Sequence, residues 1–398
     1  MRILQYINAI VDLVGGAERV FCEMANTFVA RGHEVYAVCN DINSGYPFYS
    51  LDNRVHFVNL DGSGHRSRRH KPLIWKITRP FRFAAKETWD RYIGEPFDNL
   101  KSEPLANFIR EVQPDIVVTN FVDDYFSVYR QPMLDVPVIL MHHSDDNLFV
   151  RCLNTRKKIK KINTCHHLQV LQHCFVSGIQ KLYRGPIHVI PNVVPQIDEN
   201  EMAVLTREKL QKKITMISRL NSGKQQHILI EAFGRLSKNY PDWKVEIYGP
   251  PGSQEYLQQL KSTIVSLGLV DQVELMGTTD MPLDILRNAD IFAFPSLFEG
   301  FPLALTEAMA VGLPCVGLKT TPSVNELIMD GINGFLADNT PEDFAAKLKI
   351  LMDDHNLRAK MGWEGHEMMK QYAPEIIWDR WENLITEVVH QHRQRRAA

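Results

Sequence analysis

The chain has 398 residues, with 45 Lys and Arg against 47 Asp and Glu, 44% apolar and 23% charged residues. That length suits two domains of ordinary size, and the composition is that of a soluble globular protein. No stretch of 18 or more apolar residues occurs, which argues against a membrane-spanning helix, and the slight net negative charge of −2 argues against a nucleic-acid binder.

The first residues, Met1 to Ile7, carry one charge and a short apolar run without a cleavage-site pattern, so they read as a first β-strand rather than a signal peptide. The six cysteines are scattered, and the default expectation is reduced thiols in a cytoplasmic protein. Gly15 and Gly16 form a turn, and Val20, Phe21, Met24, Ala25, Phe28 and Val29 then recur at helical spacing up to Gly32. Glu34–Cys39 and Val55–Phe57 read as strands. Leu105–Val112 reads as a helix ended before Pro114, and Asp115–Thr119 and Val136–Met141 as buried strands, the latter running into His142 and His143. His167–Leu171 and His188–Ile190 close the first half.

The second half repeats the alternation. Strands are expected at Ile214–Ile217, Lys244–Tyr248, Val273–Met276, Ile291–Phe294, Pro314–Gly317 and Gly334–Leu336. Helices are expected at Gln226–Leu236, Gln254–Leu267, Leu283–Asn288, Ser323–Met329, Pro341–Asp354 and Pro374–His392, the last followed by a basic polar tail. Strands alternating with helices predict an α/β protein of parallel sheets, with a ligand at the carboxyl ends of the strands. The domains are expected at 1–195 and 196–372, with a final helix and tail, 373–398, packing back toward the first domain.

Charge is divided between the halves. Residues 1–195 hold 24 Lys and Arg against 19 Asp and Glu, and the remainder 21 against 28. Arg66, Arg68, Arg69, Lys71, Lys76, Arg79, Arg82, Lys86 and Arg91 are interleaved with Leu73, Ile74, Trp75, Phe81, Phe83 and Trp89, and a second basic group spans Arg151 to Lys161. Basic residues mixed with aromatics suit an anionic membrane surface or an anionic acceptor; a solvated helix with one apolar face would give the same pattern.

The most informative stretch is Pro295-Ser-Leu-Phe-Glu-Gly-Phe-Pro-Leu-Ala-Leu-Thr-Glu307. An apolar strand precedes it and a helix ending at Gly312 and Pro314 follows. A helix start has unpaired N–H groups and the positive end of the helix dipole, so it suits a phosphate. Gly300 allows close approach of a ligand to the backbone. Glu299 and Glu307 are poor phosphate ligands but good at gripping hydroxyls. A diphosphate flanked by two polyols fits both needs.

With its flanks, Pro-Ser-x-x-Glu-Gly-Phe-Pro-Leu-x-x-x-Glu-Ala-Met-Ala-x-Gly-x-Pro, this stretch resembles the nucleotide-sugar site of the retaining glycosyltransferase family 4 (glycosyl transferases group 1). The resemblance implies the GT-B fold, two Rossmann-like parallel-sheet domains facing a central cleft, and transfer of a hexose-type sugar with retention. It implies that Arg219 and Lys224, on the loop after the first strand of the second half, hold the donor diphosphate and stabilise the leaving group. Gln225 stands where the family often has Gly. Glu299, with the backbone of Gly300, Phe301, Pro302 and Leu303, would hold the sugar, and Glu307 the ribose.

Gly249, after the bulky Tyr248, is similar to the family's turn near the base. Gly15 and Gly16 would face the donor phosphates and the acceptor. The family's strand-end histidine falls on His143 or, in the alternative register, His142. The implied co-substrate is a UDP- or GDP-linked sugar, with no metal, since no Asp-x-Asp turn is present. The acceptor would be a lipid-linked, lipopolysaccharide or polysaccharide glycan at the cytoplasmic membrane face. A soluble metabolite and a GT-B-fold epimerase remain as alternatives. The Cys165–Cys174 cluster of Cys and His fits no usual zinc spacing.

Overall fold

The computed structural model describes residues 1–61, 95–129, 135–206 and 209–397. The basic and aromatic residues from Arg66 to Arg91 lie outside the described residues. The chain forms two compact units, Met1–Ile190 with Trp378–Ala398, and Pro191–Ile377. The sequence reading put the corresponding junctions at 195/196 and 372/373.

In the first unit the elements in chain order are β1 (Arg2–Ile7), α1 (Gly16–Ala30), β2 (Glu34–Cys39), β3 (His56–Asn59), α2 (Glu95–Val112), β4 (Ile116–Thr119), α3 (Val122–Tyr129), β5 (Val138–His142), α4 (Asp146–Cys152), α5 (Arg156–Ile162), β6 (His167–Val170), α6 (Val176–Gln180) and β7 (Ile187–Val189). The strands form one seven-stranded sheet in the order β3-β2-β1-β4-β5-β6-β7, parallel throughout. β4, β5 and β6 are buried along their whole length, as expected for a parallel sheet covered on both faces.

The second unit runs β8 (Lys212–Ile217), α7 (Gln226–Gly234), β9 (Trp243–Tyr248), α8 (Gln254–Ser266), β10 (Val273–Gly277), α9 (Pro282–Arg287), β11 (Ile291–Phe294), α10 (Leu303–Ala310), β12 (Cys315–Leu318), α11 (Pro322–Asn325), β13 (Gly334–Ala337), α12 (Pro341–Asp353), α13 (His355–Met369) and the start of α14 (Pro374–Ala397). Its sheet has six parallel strands in the order β10-β9-β8-β11-β12-β13. Ile214, Met216, Val245, Ile247, Phe233 and Leu348 lie at its core, all 0% exposed. The chain therefore has the expected α/β class with two Rossmann-like parallel sheets.

In each sheet the winding reverses once, between β1 and β4 and between β8 and β11. At such a reversal the loops leaving two adjacent strands diverge to opposite faces, and the carboxyl ends of those strands frame a crevice. This fixes where in each unit a ligand is to be sought.

Several elements depart from the sequence reading. α2 begins at Glu95 and carries Pro104 inside it, where the reading began a helix at Leu105. α3, α4 and α5 were not foreseen; α4 and α5 are short helices capped by Asp145 and Thr155, whose side chains accept from the N–H groups of Leu148 and Lys158. α11 is four residues long rather than running to Met329. The expected basic tail is helix: α14 continues to Ala397, and Arg393 and Arg396 of its last turns pair with Asp115 and Asp135 at 2.6 and 2.9 Å.

Candidate active site

The reversal of the second unit's sheet brings together the loop after β8, residues 218–225, and the loop after β11, residues 295–302. Asn221 shapes the first loop: its Oδ1 accepts from the backbone N–H of Gly223 at 3.0 Å and of Lys224 at 3.1 Å. The loops are then stitched, because Leu297 N–H donates to the Gly223 carbonyl at 2.9 Å. On this frame Lys224 Nζ forms a short ion pair with Glu299 Oε1, with side chains 24% and 11% exposed. Two residues 75 apart in sequence thus converge at the carboxyl edge of the sheet. Arg219 is exposed on the same loop, and its carbonyl accepts from Gln226 Nε2 at 3.0 Å.

Beyond Glu299, Gly300 to Pro302 lead into α10, whose first turn starts at Leu303 and has no side-chain cap. Its leading N–H groups are therefore left for a ligand or solvent. Phe301 is buried and packs edge-on against Tyr372 at 5.4 Å between ring centroids, which fixes the approach to the helix. Glu307 lies one turn further on and is 6% exposed. Ser296, 0% exposed, offers its carbonyl to Thr321 Oγ1 at 2.6 Å, so the floor of the second loop is tied to the segment before α11.

Gly249 sits where the loop after β9 presses on the loop after β8. Its φ is +143°, and a Cβ there would lie 1.9 Å from the Ser218 carbonyl oxygen. Only glycine fits. Tyr248 beside it is 9% exposed, and its hydroxyl donates to Glu246 Oε2 at 3.0 Å. Its bulk is absorbed within the unit.

The carboxyl edge of the first unit's sheet holds the remaining candidates. Gly15 is extended, with φ −173°, and precedes α1, which begins at Gly16; the Glu18 carboxylate folds back toward Gly15. Two acids that the sequence reading did not single out pin this loop. Asp41 accepts from the N–H groups of Ile10 and Val11, both at 2.9 Å, and Asp124 accepts from the Asn8 N–H at 3.0 Å and from its side-chain amide. Tyr6 hydroxyl donates to Asn8 Oδ1 at 3.0 Å. Burial holds the Asp124 carboxyl well above the usual carboxylate range. In the sequence Asp124 is simply one of two adjacent acids, with Asp123, a pattern that has no fixed meaning without the fold.

The two histidines separate. His142 is the last residue of β5, 3% exposed; its Nε2 hydrogen goes to the Asp145 carbonyl at 2.8 Å, and its ring packs on Phe149. It closes the loop into α4. His143, half-buried, meets Asn120 Oδ1 at 3.1 Å and tilts against Phe121. Burial lowers the pKa of both rings. Of the Cys165–Cys174 cluster, His167 pairs not with a cysteine but with His188, Nδ1 to Nε2 at 2.9 Å, while Cys165 Sγ faces the His167 carbonyl.

Comparison with known proteins agrees with this architecture. Two parallel-sheet units with the glutamate-bearing loop leading into a helix start define a glycosyltransferase of the GT-B fold. The family model described as Glycosyltransferase Family 4 matches residues 14–196, and that described as Glycosyl transferases group 1 matches residues 197–368. The chain belongs to this family of glycosyltransferases. A Haemophilus influenzae protein described as an uncharacterized glycosyltransferase is 25% identical over 94% of this chain and 97% of its own length. A Campylobacter jejuni enzyme that transfers N-acetylgalactosamine to an undecaprenol-diphosphate-linked glycan is 23% identical over 94% of this chain and 96% of its own. The Anabaena protein HepE, crystallised with UDP and glucose, shares the fold with a TM-score of 0.72 at 16% identity, covering 97% of this chain and all of that one.

Proposed function

We propose that this protein is a retaining, metal-independent hexosyltransferase that moves a sugar from a UDP- or GDP-linked donor to a hydroxyl of a lipid-linked, lipopolysaccharide or polysaccharide glycan. The observation that carries this reading is the Lys224–Glu299 pair standing beside the uncapped start of α10. Breaking a glycosidic C–O bond to a diphosphate builds negative charge on the departing oxygen and positive charge on the sugar. Lys224, Arg219 and the first N–H groups of α10 supply fixed positive charge for the former. Glu299, already held by Lys224, grips sugar hydroxyls and favours the developing positive charge. Glu307, buried one turn into α10, takes the ribose. This reading needs no carboxylate pair across the bond, unlike a glycoside hydrolase, and the departing phosphate oxygen takes the acceptor's proton.

The described part of the basic surface supports an anionic acceptor. Arg151, Arg156, Lys157 and Lys160 are exposed on and around α4 and α5. No helix among the described residues is long and apolar enough to cross a membrane. The relatedness to an enzyme acting on an undecaprenol-linked glycan points the same way.

The test is transfer from UDP- and GDP-sugars to a lipid-linked acceptor, with and without EDTA, and the anomeric configuration of the product read by NMR. Glu299→Gln should lower kcat by about 100- to 1,000-fold with thermal stability retained. Full activity in that variant, an inverted product, or loss of activity in EDTA would each refute the corresponding part of the reading.

A further inference from the structure

Asn120 is the first residue after β4, 1% exposed, at the reversal of the first unit's sheet. Its side-chain amide nitrogen donates to the Tyr6 carbonyl at 3.3 Å, as does its backbone N–H. A backbone carbonyl can only accept, so the amide must present its nitrogen to Tyr6 and its oxygen away from it. That oxygen is the atom 3.1 Å from His143 Nε2. An amide oxygen also can only accept, so Nε2 must carry a hydrogen. Burial favours the neutral ring. A neutral imidazole has one N–H, so Nδ1 is left with a bare lone pair. Nδ1 has no hydrogen-bond partner among the described residues, and it is not one of the atoms sealed from solvent.

We propose that Asn120 is a positioning residue that locks His143 in its Nε2–H form, so that Nδ1 faces substrate as a hydrogen-bond acceptor. Such a nitrogen recognises a donor, and in a sugar-transfer reaction the donors are hydroxyl groups. It does not attract a phosphate, which needs a hydrogen or a positive charge. His142, whose Nε2 hydrogen is spent on Asp145, has no part in this. The proposal rests on the reading of the chain as a sugar transferase only for the identity of the hydroxyl; the order of the hydrogen bonds stands apart from it.

The experiment is a nitrogen NMR spectrum of the full chain labelled at histidine, with His143 assigned by its absence in His143→Gln. Expected is a pyrrole-type Nε2 and a pyridine-type Nδ1 for His143 in the unsubstituted protein. Asn120→Leu should abolish that preference and lower the transfer rate at least tenfold. Asn120→Asp, whose carboxylate still accepts from Nε2, should keep the Nε2–H form and recover part of the rate. A ring protonated on Nδ1 in the unsubstituted protein overturns the proposal, and so does an unchanged ring form and rate in Asn120→Leu. The spectrum needs no substrate, so it decides the tautomer even where no sugar is transferred. Full transfer by His143→Gln would instead remove His143 from the reaction.

Discussion

At the scale of single residues, two backbone positions around the donor loop behave in opposite ways. Gly249 holds φ +143° with the Ser218 carbonyl where a side chain would begin, and nothing flexible stands in the way to yield. Gly249→Ala should cost about 3 kcal/mol, seen as a lowered denaturant midpoint of the second unit's transition, and should weaken nucleotide binding. Gln225, one residue past Lys224, has φ +52°. It replaces the family's common glycine, and the backbone keeps the left-handed turn that glycine would adopt freely. A non-glycine residue there is strained by about 1 kcal/mol. Its buried Oε1 has no hydrogen-bond partner among the described residues. Gln225→Gly should therefore leave the melting temperature unchanged or raise it. A clear fall would mean that packing of the Gln225 side chain outweighs the strain. The sequence exposed the substitution; the φ angle, and so its cost, came only with the structure.

At the scale of elements, α13 was not read from the pattern, whereas α14 was expected at Pro374–His392. α13 contains Gly362 and Gly365, which weaken a helix in isolation. Here they allow contact: a Cβ on Gly362 would lie 1.8 Å from the Gly312 carbonyl oxygen, and one on Gly365 would touch Met309 of α10. His366 adds a hydrogen bond from Nδ1 to the Ala310 carbonyl at 2.7 Å, meeting an open group at the end of α10. The helix is a brace for the motif helix, and tertiary packing overrides its poor propensity. α14 was expected to pack toward the first domain, and from Trp378 onward it belongs to that unit. Trp378 lies edge-on to Phe28 of α1 at 6.2 Å, and Glu382 pairs with Arg31 and His33 at 2.6 and 2.9 Å. Trp378→Ala should lower the stability of the first unit by about 3 to 5 kcal/mol, measured by hydrogen exchange of β1 and β2 amides, and leave the second unit's core protected. Loss of protection in both units alike would show that α14 does not act on the first unit alone.

At the scale of the whole molecule, buried neutral histidines set the acid limit. Burial lowers the pKa of His142, His143, His166, His167 and His188 in the first unit and of His227 in the second, with His167 brought to about 4. The unfolded chain protonates these rings near pH 6.5, while the folded chain resists until lower pH. The unfolded state then binds more protons, and stability is lost as pH falls from about 6.5. For a fully buried ring such as His142 the slope reaches about 1.4 kcal/mol per pH unit. Asp124, held above the carboxylate range, acts with the opposite sign, favouring the folded state at low pH and losing that contribution as pH rises through its folded value. Five rings against one acid decide the direction. The first unit should melt at lower temperature at pH 5 than at pH 7, by a larger margin than the second. Equal margins in calorimetry would contradict the assignment of the histidine load.

Much of this was legible in the sequence for physical reasons. Apolar strands alternating with amphipathic helices leave a parallel α/β architecture as the way to bury both faces of each sheet. The stretch from Pro295 to Glu307 carries its own strand, turn and helix start, so its chemistry is local and readable. What the sequence could not decide is which distant loops meet. Lys224 finds Glu299 and Asn8 finds Asp124 only because each sheet reverses its winding and sets two strand ends side by side, and Asn120 finds His143 because β4 pairs with β5. The direction of His143's proton belongs to the same class. It follows from one carbonyl on β1, one amide after β4 and one ring after β5, three places that share no pattern along the chain and become neighbours only when the sheet forms.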